Sequence, residues 1–71
     1  MEYFSYHKTA KKLLAENKLI YFYFTDDHNG IKPALVLVFN DIKHPVMPIR
    51  IERWEDYIPI LPSEKLIENQ T

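Results

Sequence analysis

The run Ala34-Leu35-Val36-Leu37-Val38-Phe39 sets the terms for this chain. It is the longest β-favouring apolar stretch, and no polar residue interrupts it at alternate positions. A strand with one wet face alternates apolar and polar side chains. A run that does not alternate asks for cover on both faces. In a chain of 71 residues that demand is hard to meet. A domain of this size buries only about 60% of the surface its unfolded form exposes.

Three segments are available to build around that strand. Tyr3, Tyr6, Ala10, Leu13, Leu14 and Asn17 fall at helical spacing and predict a helix over about residues 3–16. Glu2 suits its N-terminus, Ser5 is a cap if the helix begins late, and Asn17 is a C-terminal stop. Leu19–Thr25 reads as a first strand, with Ile20, Phe22 and Phe24 on one face and Leu19, Tyr21 and Tyr23 on the other. Asn29-Gly30 follows, and a tight primed turn needs positive φ at both positions. The second strand is expected over Ile31–Phe39, with Pro33 at its frayed start.

The third strand is expected over Val46–Glu52, with Met47, Ile49 and Ile51 facing one way and Pro48, Arg50 and Glu52 the other. Pro48 restricts it to a sheet edge. Beyond it, Ile51, Trp54, Tyr57 and Ile58 have helical spacing, while Pro59 and Pro62 break anything regular. The segment Pro59–Pro62 is expected to run extended, and Ser63 to cap a short helix over Glu64–Asn69. The expected architecture is a single α+β domain over residues 1–71: an N-terminal helix on a three-stranded antiparallel meander, with an extended or short-helical C-terminal arm.

One helix covers one sheet face. Two covers are open for the other: the arm folding back with Trp54, Tyr57, Ile58, Ile60 and Leu61, or a second protomer packing as a two-fold dimer. The candidate dimer face comprises Tyr21, Tyr23, Val36 and Val38.

Composition narrows the function classes. An apolar content of 46% and an aromatic content of 14% exclude intrinsic disorder. There is no cysteine, so no disulfide and no thiolate metal site. No stretch approaches a membrane span and none reads as a signal peptide, which points to a cytoplasmic protein. Lysine outnumbers arginine and glycine is scarce, as in proteins of AT-rich bacterial or phage genomes.

No catalytic constellation is evident. Ser5 and Ser63 are explained as caps, and His7, His28 and His44 lie apart in the chain. Asp26, Asp27 and His28 lack the alternation of a calcium loop. No enzyme activity, cofactor or metal is therefore expected.

The net charge of −1 conceals an asymmetry. Lys8, Lys11, Lys12 and Lys18 outnumber the acids of the first eighteen residues, while Glu52, Glu55, Asp56, Glu64 and Glu68 outnumber the bases of the last twenty-one. The expected function is a non-enzymatic protein-binding module, a homodimer, that modulates or inhibits a larger protein. One form of it is a phage-type inhibitor of a nucleic-acid-processing protein, presenting an acidic C-terminal surface. Candidate partner-binding residues are Trp54, Tyr57, Ile58, Glu52, Glu55 and Asp56. The alternative is a nucleic-acid-binding protein using Lys8, Lys11, Lys12 and Lys18, with tyrosines stacking on bases.

Overall fold

The structure is a computed structural model that describes the backbone of residues 2–67 and the side chains of residues 5–67. Helix α1 spans Glu2–Ala15, and strands β1 (Leu19–Thr25), β2 (Ala34–Phe39) and β3 (Val46–Arg50) form an antiparallel sheet in the order β1-β2-β3. The α+β meander expected from the sequence is present, with the Ala34–Phe39 run at its centre. An arm of three 3-10 turns follows: Ile51–Asp56, Ile58–Ile60 and Ser63–Lys65. The side chains of Glu2 and Tyr3, and the end of the last expected helix at Asn69, lie outside the described residues.

Local chemistry explains the punctuation. Helix α1 stops where Asn17 adopts a left-handed φ of 62°. Lys18 N–H then bonds Leu13 O at 3.0 Å and Asn17 N–H bonds Leu14 O at 3.0 Å, the paired pattern that closes a helix C-terminus. Ser5 is no cap, because the helix already runs through it. In the β1–β2 connection, Asn29 (φ 52°) and Gly30 (φ 93°) form the tight turn. His28 and Ile31 exchange two backbone hydrogen bonds of 3.0 Å across it. The turn is a small hairpin of its own, so β2 begins at Ala34 rather than Ile31.

Strand β1 departs from simple alternation. Its register slips between Leu19 and Tyr21, leaving Ile20 as the extra residue of a bulge. Leu19 thereby joins Phe22 in the core, and Ile20 is half-exposed. The facing expected for these two residues is reversed, because one inserted residue flips all that lie beyond it.

Helix and arm share one face of the sheet. Ala10 and Leu13 from α1, and Tyr57 from the arm, pack with Phe22, Leu35, Leu37, Phe39, Met47 and Ile49. On the opposite face, Ala34 and Val36 sit between longer cross-strand neighbours, Thr25 with Arg50 and Tyr23 with Pro48. Ala34, Leu35, Val36 and Leu37 are all 0% exposed within this one chain. No second copy is needed to dry the central strand at these positions.

The arm also corrects expectation. Beyond Arg50 the chain leaves the sheet, so Ile51 does not continue the buried row of Met47 and Ile49. Pro59 sits inside a 3-10 turn instead of an extended segment, at a first-turn position where its missing N–H costs nothing. Ser63 begins a single turn without a side-chain cap, and Leu66 is extended. There the arm reaches the outer edge of β1. Leu66 pairs in parallel with Phe22, and Ile67 N–H donates to Phe22 O at 2.8 Å. The ammonium of Lys65 donates to Leu19 O, at the bulge.

Candidate interaction surface

The arm carries the candidate partner-binding residues, and 3-10 geometry sorts them. Three residues per turn make positions i and i+3 eclipse. Trp54 and Tyr57 form the inward column. Tyr57 is 0% exposed. The Trp54 ring meets Phe24 edge-on at 5.0 Å between centroids, and its Nε1–H donates to Ile49 O at 2.9 Å. Arg53 and Asp56 form a second column, closed by an ion pair of 3.0 Å. Glu52, Glu55 and Ile58 form the third, and all three are exposed.

The six candidates therefore divide. Tyr57 is core and Trp54 is a half-buried anchor, so neither aromatic is offered freely to a partner. Asp56 is engaged by Arg53. Glu52, Glu55 and Ile58 face outward. Ile51 (49% exposed) and Ile60 (55% exposed) share the three-residue spacing of Trp54 and Tyr57, but at the two ends of that column they are left half-exposed. Lys65 is turned onto Leu19, so the exposed Glu64 adds negative charge in the third turn.

The candidate dimer face is less available than expected. Val36 is fully buried, Val38 is half-buried, and Tyr21 and Tyr23 stack on each other at 6.3 Å while remaining half-buried.

The four lysines are engaged differently. Lys8 and Lys12 line a shallow depression with Ser5 and Thr9. The Lys11 ammonium lies over the Tyr57 ring, 5.5 Å from its centroid. Lys18 is tied to Glu16 at 3.7 Å and to Asp41 at 4.0 Å.

The histidines are likewise dispersed. His28 borders the small hairpin. His44 Nδ1 lies 3.3 Å from an Asp41 carboxylate oxygen, which also accepts the His44 backbone N–H at 3.0 Å. Partial desolvation pushes the Asp41 carboxyl up, but these hydrogen bonds and the charge of Lys18 outweigh it and hold the pKa below its ordinary value. Between them the loop tip leaves Ile42 99% exposed.

His7 is the residue that sequence reasoning underrated. It is buried in α1, and its Nδ1 lies 2.7 Å from the Tyr57 hydroxyl. Its position was legible: residues 7, 10 and 14 share one helical stripe, so His7 belongs with Ala10 and Leu14.

Among the described residues, no group of three or more metal-ligating side chains comes together, and no helix is long and apolar enough to cross a membrane. Comparison with protein-family models, curated proteins and solved structures found no match.

Proposed function

We propose that this chain is a non-enzymatic protein-binding module whose contact surface is the outer side of the C-terminal arm. The observation that carries the reading is the pattern of burial along the arm. Trp54 and Tyr57 anchor it to the core, which holds Ile51, Ile58 and Ile60 at the surface beside Glu52 and Glu55. Aliphatic side chains on a rigidly anchored segment lose little further freedom on binding, so burying them contributes close to its full value.

The chemistry of the partner follows from charge. With Arg53 committed to Asp56, the glutamates around the isoleucines are the outward charges. The complementary surface is an apolar groove with a basic rim, as on the binding face of a nucleic-acid-processing protein. Occupying such a groove would inhibit its owner. The homodimer expected through Tyr21, Tyr23, Val36 and Val38 loses the uncovered strand that motivated it, so the partner is proposed to be a different protein.

The test is differential capture of cross-linked partners from the native cell by three purified forms: wild type, Ile58→Asp/Ile60→Asp, and Lys8→Ala/Lys12→Ala. A partner retained by wild type and the lysine variant but lost by the isoleucine variant supports the reading. A partner that ignores the isoleucine substitutions and is lost with the lysines refutes it.

A further inference from the structure

A cavity of about 380 Å³ opens beside β3, between α1, the β1–β2 connection and the start of the arm. That size is in the range of small-molecule sites. Its apolar walls are the Tyr6 ring, Ile31, Val46 and Pro48, its cations are Arg50 and Arg53, and His7 completes the lining. Among the described residues that line it there is no carboxylate.

Strand alternation arranges these groups in order. Val46, Pro48 and Arg50 alternate with the core residues Met47 and Ile49 along the edge strand β3, and all three border the cavity as a row. The row spans about 13 Å, two apolar positions followed by one guanidinium. Arg53 is paired with Asp56, but Arg50 is exposed and makes no ion pair among the described residues. Val46 is 44% exposed, a β-branched side chain left at the lip of an apolar wall. The far wall is held rigidly, since the Tyr6 hydroxyl donates to Pro48 O at 2.8 Å.

We propose that this cavity binds a small amphipathic carboxylate, its apolar body lying along Val46 and Pro48 and its carboxylate forked onto Arg50. One guanidinium presents two parallel donors to one carboxylate. The apolar length of the row matches a medium-chain acyl tail or a single ring on a short chain. The site is separate from the outward column of the arm and does not depend on its role.

The test is an amide chemical-shift titration of the full chain with octanoate, with octanamide as the uncharged counterpart. Octanoate is expected to give saturable shifts at Ile31, Val46 and Arg50. Arg50→Ala should weaken octanoate roughly tenfold while changing octanamide by less than about twofold. Val46→Asp should abolish octanoate binding through repulsion at the wall. Both side chains are exposed enough for the variants to fold, which circular dichroism verifies. Absence of saturable shifts in wild type, shifts centred on Lys8 and Lys12, or an Arg50→Ala variant with unchanged octanoate affinity would each overturn the assignment.

Discussion

The Nδ1 atom of His7 and the hydroxyl of Tyr57 meet at 2.7 Å across a separation of 50 residues. This contact joins the first helix to the arm and is buried with the core. Burial lowers the His7 pKa from its ordinary 6.5; the charge of Arg53 lowers it further, Asp56 opposes, and Lys11 lowers it again.

Acid should therefore destabilise the fold. Well above pH 6.5 the histidine is neutral in both the folded and the unfolded chain and adds no pH dependence. As pH falls below that value the unfolded chain takes up the proton first, so stability declines. Thermal unfolding followed between about pH 7 and about pH 5 should show a falling melting temperature, and His7→Gln should flatten that slope. A slope unchanged in His7→Gln would assign the effect to other groups.

Alkali should act at the neighbouring tyrosine. Burial, followed by the proximity of Tyr57, pushes the Tyr6 hydroxyl from 10.0 up to about 12. Between those values the unfolded chain loses its proton first, so stability falls as pH rises through the window. Tyr6→Phe should remove this alkaline loss. It should also cost about 1 kcal/mol at neutral pH, the worth of the hydrogen bond to Pro48 O.

Trp54 should be a sensitive position in the arm. Trp54→Ala removes the edge contact with Phe24 and the donor to Ile49 O, at a cost of roughly 2–4 kcal/mol. A chain of 71 residues has on the order of 4–10 kcal/mol in total. Urea unfolding should shift to much lower denaturant. Trp54→Phe keeps most of the packing and should lose only about 1 kcal/mol.

The small hairpin offers a test free of packing. A Cβ added at Gly30 meets nothing within 4 Å, but its φ of 93° strains any L side chain. Gly30→Ala should cost about 1–2 kcal/mol from backbone conformation alone. Each kcal/mol lowers the melting temperature by roughly 4–8 °C in a domain of this size. Asn29→Gly, at a neighbouring left-handed position, should change it little.

Elements whose causes lie within a few residues were legible from the chain. Asn17 ends α1 and Asn29-Gly30 makes its turn because left-handed backbone is a property of those residue types. Pro48 placed β3 at an edge because it has no N–H to donate. The unbroken apolar run of β2 announced a strand buried on both faces, and it is.

What hid in the sequence was how those faces would be covered. The bulge at Ile20 depends on how β1 meets Phe39 and Val38 and carries no local signal. The path of the arm from Arg50 across the core to Phe22 rests on contacts dozens of residues apart. Trp54 and Tyr57 looked equally suited to a partner or a core, because an aromatic side chain gains from burial in either place. The short side chains of Ala34 and Val36 needed only taller neighbours for shelter, and cross-strand neighbours exist only once the register is set. Propensity chose the elements; long-range packing chose which apolar residues went inside and left Ile51, Ile58 and Ile60 out.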